Sequence, residues 1–312
     1  MGDRIVVATV TRNRPVMLGR LLDSLARITP PEDTELDFIV VENAETLSLA
    51  PPAATLPGPL HLLNEPELGI PFARNRALDS ALEMGADWLV FVDDDETVRP
   101  DWLAELHAGA VRAGADLAAG PVVPVAPDGA LTRSEQAMMD YYTRMAEERQ
   151  TRMAAQMAPR DLPTNNWICR LAAAREVGLR FDEALRMTGG SDTRLSRQAV
   201  EAGLRTGWIA AAVVEEEMPR ARLTAGYLFR RAKSQTLAKI EFEYRAKGKP
   251  ILGKALFHIL AKGGGGALRW LAGLVTGSDT RLRGVRSLGV AAGWAQAALG
   301  GRSRLYDRVI GS

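Results

Sequence analysis

Three consecutive carboxylates close an apolar run in Trp88-Leu-Val-Phe-Val-Asp93-Asp94-Asp95. Like charges this close repel, so a cation is expected to balance them. Side chains alternate along a strand, so Asp93 and Asp95 share a face if the strand continues that far. Magnesium or manganese would accept one or two of these carboxylates and leave positions for diphosphate oxygens and water. A solvated acidic turn capping a helix would read the same, so the neighbouring segments decide. Thr9-Val-Thr11-Arg12-Asn13-Arg14 ends the first β-branched run, and Val41-Glu42-Asn43 ends the second. Gly69-Ile-Pro-Phe-Ala73-Arg74-Asn75 precedes the acidic run, and an arginine can fork onto phosphate. Polar, metal-capable chemistry therefore gathers at the ends of apolar runs.

Those ends need strands and helices to carry them. Strands are expected at Ile5–Val10, Leu36–Val41, Leu60–Leu63 and Trp88–Val92, and helices at 15–28, 71–84 and 101–113. Strand and helix alternate with short links, which predicts a doubly wound α/β fold with a mostly parallel sheet. Ligands of such sheets bind beyond the carboxyl ends of the strands, near the switch in strand order. The methionine-rich stretch 133–156 reads as a helix, either packed on the domain or lying over an acceptor groove.

The chain has 312 residues, 46% hydrophobic and 25% charged, with one cysteine, Cys169. That excludes a disulfide framework and a cysteine-based zinc site. The three histidines show no ligand spacing. The start lacks the apolar length of a signal peptide, so a cytoplasmic location is expected. The net charge of +1 conceals a division. Residues 1–219 hold 21 Lys and Arg against 34 Asp and Glu, and residues 220–312 hold 18 against 4. Two regions follow: an acidic part at 1–220, which holds the clustered carboxylates, and a basic helical part at 221–312. In the second, Ile251–Lys262 reads as an amphipathic helix carrying Lys254, His258 and Lys262. The glycines at 263–266 interrupt it, and two further apolar segments follow. Basic amphipathic helices suit the inner face of a membrane, so residues 230–304 are expected to touch an anionic surface as a peripheral anchor. Aromatics suited to base stacking are sparse, so no nucleic-acid partner is expected.

The ordered set of motifs resembles the family 2 glycosyltransferases, inverting enzymes of the GT-A fold. Downstream, Thr164-Asn-Asn166-Trp-Ile-Cys-Arg170 and Gly189-Gly190-Ser191-Asp192 are similar to further family segments, and Glu216-Glu-Met-Pro219-Arg-Ala-Arg222 resembles the succinoglycan-type bacterial members. The resemblance covers residues 4 to about 235. It implies a nucleotide-sugar donor, a UDP-sugar in expectation, handled by Thr9, Arg12, Glu42, Asn43, Arg74, Asp93 and Asp94. Glu42 would meet the base, Arg74 the diphosphate, and Asp93 the ribose or a metal-bound water. Mg2+ or Mn2+ would sit on Asp95 with Asp93. Asp192 would be the general base, and Asn166, Glu216 and Arg222 would face a lipid-linked saccharide or glycolipid acceptor. Glu216 is alternatively a third metal ligand. The family usually has Glu before the catalytic Asp, whereas this chain has Ser191. That departure admits an inactive homologue. A membrane-surface binding module and a nucleotidyltransferase are the other readings, although Thr9–Pro15 lacks the glycine-rich loop of the latter.

Overall fold

The computed structural model describes residues 2–50, 54–186, 190–244, 248 and 250–301. The chain opens with β1 (Asp3–Thr11), α1 (Pro15–Leu25), β2 (Thr34–Glu42), β3 (Leu60–Asn64), α2 (Ile70–Glu83) and β4 (Trp88–Val92). β1, β2 and β4 are almost continuously apolar because both of their faces are covered. Ile5, Val7, Phe38, Val40, Trp88 and Val90 belong to one core layer, and Val6, Ala8, Ile39, Val41, Leu89 and Phe91 to the other. Leu18, Leu21, Leu22 and Leu25 of α1 cover the first face, and Ala73, Ala77 and Ala81 of α2 the second.

The middle of the chain adds β5 (Glu96–Val98), α3 (Trp102–Ala113), β6 (Leu117–Ala119), β7 (Val122–Val125) and α4 (Arg133–Ala154). Then come β8 (Asn166–Arg170), α5 (Leu171–Glu176), α6 (Ser191–Glu201), β9 (Thr206–Trp208) and β10 (Val214–Glu217). The main sheet has seven strands in the order β3-β2-β1-β4-β8-β6-β9. β8 runs antiparallel to both of its neighbours, and the other pairs are parallel. Strand order reverses between β1 and β4, as a doubly wound sheet requires. A second sheet, β5-β10-β7, had no counterpart in the sequence reading. It sets Glu216 across from Glu96, directly after the acidic run.

Beyond residue 220 the chain is helical: α7 (Ala225–Glu243), α8 (Leu252–Thr276) and α9 (Ser278–Ala298). This region is packed onto the sheet domain. Met138, Met139 and Tyr141 of α4 form one apolar cluster with Met218, Leu223, Leu228 and Leu282. Met138 and Met139 thus fill a junction between the two parts, while Met153 joins the core of the sheet domain.

The glycines at 263–266 do not break the helix as expected; α8 runs through them. At Gly266 the reason is close helix packing, whereas an added Cβ at Gly264 would meet nothing within 4 Å. An added Cβ at Gly266 would stand 3.1 Å from Leu288, and one at Gly284 would stand 2.6 Å from the Trp270 nitrogen. Close approach of α8 and α9 offsets the roughly 1 kcal/mol that a glycine costs inside a helix. Among the described residues no helix is long and apolar enough to cross a membrane.

Candidate active site

β2, β1 and β4 run parallel and end on one edge, and the antiparallel β8 begins there, with Asn166 opposite Val92. β4 stops at Val92, so Asp93–Asp95 occupy a turn. The expected alternation along a continuing strand therefore does not apply, and each carboxylate takes its direction from its partners.

Asp94 turns inward. It is buried and accepts hydrogen bonds from Thr11 Oγ1 at 2.6 Å and Arg14 Nη1 at 2.9 Å. Glu96 is buried too, and accepts from the Asp93 backbone N–H at 2.9 Å and from Asn165 Nδ2 at 2.8 Å. These two acids brace the turn against β1 and against the residues leading into β8. Burial raises the Asp94 carboxyl and lifts Glu96 well above the ordinary range, with Asp93 and Asp95 adding to the rise at Glu96.

Asp93 stays open, and Asp95, though only 15% of its side chain is exposed, has no short hydrogen bond. Asp93 meets Arg74 Nη2 at 3.2 Å, and 41% of its side chain faces solvent. Desolvation in the crevice pushes its carboxyl up to about 7; Arg74 opposes this, while Asp95, Asp192 and Asp94 add to it. Access to water tempers that push. Asp95 has only long contacts, 3.6 Å to Arg14 Nη1 and 3.5 Å to Arg222 Nη2.

Arg74 organises the centre. It is buried on α2 beside the rings of Phe91 and Phe181, at 6.0 and 5.6 Å from their centroids. Its second nitrogen reaches Asp192 Oδ1 at 2.9 Å, so one guanidinium bridges Asp93 and Asp192. Asp192 lies in the first turn of α6, where Gly190 is the cap, and Ser191 Oγ donates to it at 3.0 Å. Burial works to raise this carboxyl, but Arg74 and Ser191 overcome it and hold it below the usual value. Asp192 is therefore ionised at neutral pH. Gly189, in the expected motif, lies outside the described residues.

β10 sorts the Glu215–Glu217 run by strand alternation. Glu215 pairs outward with Arg99 at 3.0 Å and Glu217 with Arg20 at 2.6 Å. Glu216 turns the other way, to Arg222 Nη1 at 2.6 Å. Burial raises Glu216, Asp95 adds to the rise, and Arg222 and Arg231 oppose it. Glu216 and Arg222 thus stand beside Asp95, away from the Arg74–Asp192 pair.

Other expected site residues serve the scaffold. Asn43 donates to the carbonyls of Glu65 and Glu67 at 3.0 and 2.8 Å and accepts from Gly69 N–H at 2.9 Å. It anchors the loop that starts α2 at Gly69, whose φ of +150° suits glycine. Glu42 is buried and accepts from Ser48 N–H and Oγ and from Leu49 N–H. Asn166 is wholly buried; its amide bonds Trp102 Nε1 at 2.9 Å and the carbonyls of Pro121 and Ala212. That amide ties three segments together and leaves no surface for an acceptor. Thr9 is buried with its hydroxyl unpaired, and Arg12 is half-buried past the end of β1. Sequence reasoning singled out Thr9 and Arg12 but not Thr11 and Arg14, the pair that holds the acidic turn. It also passed over Glu96 and Asn165; the fourth acid in the run Asp93–Glu96 was the available signal.

The carboxylates suit a hard divalent cation. Asp95 and Asp93 lack short hydrogen bonds, and magnesium sites commonly use one or two carboxylates with substrate phosphates completing the shell. Among the described residues no group of three or more His, Cys, Asp or Glu side chains is arranged to hold a metal alone. Six acids (Asp93–Asp95, Glu96, Asp192, Glu216) meet three arginines (Arg14, Arg74, Arg222), with Arg231 facing Glu216. A diphosphate beside Asp95 would bring further negative charge among these acids unless a divalent cation came with it.

A doubly wound α/β sheet with an acidic, arginine-braced crevice at its switch point is the layout of enzymes that handle nucleotides. The sequence profile of Glycosyl transferase family 2 matches residues 6–176. The succinoglycan biosynthesis protein ExoM of Rhizobium meliloti (strain 1021) is 32% identical over 235 residues, 73% of this chain and 71% of that protein. The chain belongs to glycosyl transferase family 2. Its backbone also aligns with S. aureus TarS, at a TM-score of 0.49 and 18% identity over 93% of this chain; it spans 55% of that TarS chain. TarS 1–349 in complex with UDP aligns at a TM-score of 0.47 and 15% identity, over 95% of this chain and 92% of that one.

Proposed function

We propose that the protein is an inverting, metal-assisted glycosyltransferase that moves a sugar from a UDP-sugar to a membrane-borne or lipid-linked acceptor. The observation that carries this reading is the division of the acids about Arg74. Asp93 meets one nitrogen of Arg74 and, like Asp95, lacks a short hydrogen bond, while Asp192, ionised and held by Ser191, meets the other nitrogen. The donor's diphosphate belongs with Asp93 and Asp95, and the acceptor hydroxyl belongs at Asp192. UDP as the nucleotide rests on family resemblance.

In the reaction the acceptor oxygen attacks the anomeric carbon while the bond to the diphosphate breaks, through an oxocarbenium-like state. Asp192 takes the hydroxyl proton, and the nucleoside diphosphate departs with the bonding electrons. A divalent cation on Asp95 and Asp93 would neutralise the charge that develops on that leaving group. Arg74 holds Asp192 and Asp93 at fixed separation, so the base and the donor side are positioned together. Glu216 stands next to Asp95, which favours the metal-side reading of Glu216 over an acceptor role. Chromatography of the products tests the proposal: nucleoside diphosphate should appear, with the anomeric centre of the transferred sugar inverted. Pyrophosphate instead would assign a nucleotidyltransferase.

The acceptor class rests on α8. Leu252, Leu256, Phe257, Leu260, Leu271 and Leu274 are exposed along the helix, among Lys254, Lys262 and Arg269. A long apolar face bordered by cations fits the interface of an anionic bilayer, giving a peripheral, inner-face location. Of the surface expected at 230–304, residues 245–247, 249 and 302–304 lie outside the described residues. The protein should sediment with phosphatidylglycerol vesicles and far less with phosphatidylcholine ones, and Leu256→Glu with Leu260→Glu should abolish it. A stable dimer lost through the same substitutions, without vesicle binding, would make this face a contact between copies.

A further inference from the structure

Ser191 and Asp192 are the first two residues of α6, and the serine stands where the family usually has a glutamate. Ser191 is 5% exposed, and among the described residues its hydroxyl makes one bond, to Asp192 Oδ1 at 3.0 Å. Arg74 Nη1 meets the same oxygen at 2.9 Å. No hydrogen bond from another described residue reaches Oδ2, although 38% of the Asp192 side chain faces solvent. Behind the carboxylate, the buried Ser196 Oγ lies 2.9 Å from the carbonyls of both Asp192 and Leu162. The main chain under Asp192 is therefore fixed, and the freedom that matters is rotation of the carboxylate about its Cβ–Cγ bond. An arginine commonly takes a carboxylate with both prongs, which would occupy both oxygens. Here the prongs are divided, because Arg74 Nη2 goes to Asp93 at 3.2 Å. With Nη1 and the serine hydroxyl together on Oδ1, one rotation satisfies both donors, and Oδ2 keeps its lone pairs. An ionised glutamate at 191 could not do this, since it only accepts hydrogen bonds and would repel Asp192.

We infer that Ser191 is a positioning residue for the base: it turns Asp192 so that Oδ2 is the atom that takes the acceptor's proton. The acceptor O–H bond breaks towards Oδ2 as the new O–C bond forms, and the diphosphate leaves with the electron pair of its bond to the anomeric carbon. The serine hydroxyl keeps its own proton throughout and touches neither substrate. On this basis the departure at 191 orients the base and is no mark of an inactive homologue. The inference rests on the proposed base role of Asp192 and adds to it the reacting atom and the residue that presents it.

The test is steady-state release of UDP in Mn2+ from UDP-glucose, UDP-galactose and UDP-N-acetylglucosamine, with water as the acceptor. It compares the unaltered full chain with Ser191→Ala, Ser191→Thr, Asp192→Asn and the Ser191→Ala, Asp192→Asn double variant. Loss of a hydrogen bond to a charged group that sets reacting geometry should lower kcat by about 10–100-fold in Ser191→Ala, with the donor KM within about 2-fold. Ser191→Thr keeps a hydroxyl and should recover most of the loss. In the Asp192→Asn background the alanine should change kcat by less than about 2-fold, because residues that act as a unit are not additive. An unchanged kcat in Ser191→Ala, a fall of the same size in both backgrounds, or a raised KM at unchanged kcat overturns the inference. So does a threonine variant as slow as the alanine one at an unaltered Tm. Full activity in Asp192→Asn removes the base on which the inference rests, and unaltered protein that releases UDP from none of the three removes the donor reading; both are distinct from a failure at Ser191.

Discussion

Asp192→Asn should lower kcat for sugar transfer by about 10²–10⁴-fold, the range by which a positioned general base accelerates a reaction. The substitution keeps the size of the side chain and an oxygen that can still accept from Ser191 Oγ and Arg74 Nη1. The ability to take a proton is lost, together with the charge that pairs with Arg74. Nucleoside diphosphate affinity should therefore stay within a few fold, because the donor side is carried by Asp93, Asp95 and the arginines. The pH profile offers a second readout. Asp192 is held below the ordinary carboxylate range, so it is ionised above that range and becomes protonated only at lower pH. The acid limb assigned to Asp192 should lie below the usual carboxylate value. Retained turnover in the variant would remove Asp192 as the base and turn attention to Asp93.

Asp95→Ala should abolish the part of nucleotide binding that depends on Mn2+. Of the acids in the turn, Asp94 and Glu96 are consumed by short hydrogen bonds to the scaffold, whereas Asp95 has only contacts of 3.5 and 3.6 Å. Losing an outer partner of a metal ligand typically costs about 10–100-fold in metal affinity, and losing the ligand should exceed that. The fold should survive, since no short hydrogen bond depends on this carboxylate. The Asp94→Ala variant provides the contrast. It removes the acceptor for Thr11 and Arg14 and should destabilise the protein whether or not nucleotide is present.

The sheet was readable where both faces of a strand are buried. The β4 bounds, Trp88–Val92, coincide with the expected run, because a strand covered on both sides must be apolar at every position. The short strands were not readable. β5, β6, β7 and β10 have three or four residues each, and their pairing depends on partners far along the chain. The second sheet, built by β5, β10 and β7, is what delivers Glu216 to Asp95. The site was legible as a set of residue types and much less as a set of roles. Asn43 and Asn166 stood out in the sequence, but a buried asparagine that bonds backbone carbonyls has the same spelling as one that faces a ligand. The turn at Asp93–Asp95 replaced the pleat: β4 ends at Val92, three residues short of Asp95, where the alternation argument needed it to reach. The glycines at 263–266 read as the end of an amphipathic segment, since what Gly266 permits, close contact with α9, lies on another helix.

Thermal stability of the purified protein with UDP, GDP, dTDP and CMP, each with and without Mn2+, tests the central claim most directly. A ligand at about 100 times its dissociation constant adds roughly 2.7 kcal/mol of stability, which is readily seen as a shift in Tm. The account predicts stabilisation by UDP that requires the metal and is lost in Asp95→Ala. Stabilisation by none of the four, with or without Mn2+, would contradict a donor site in this crevice.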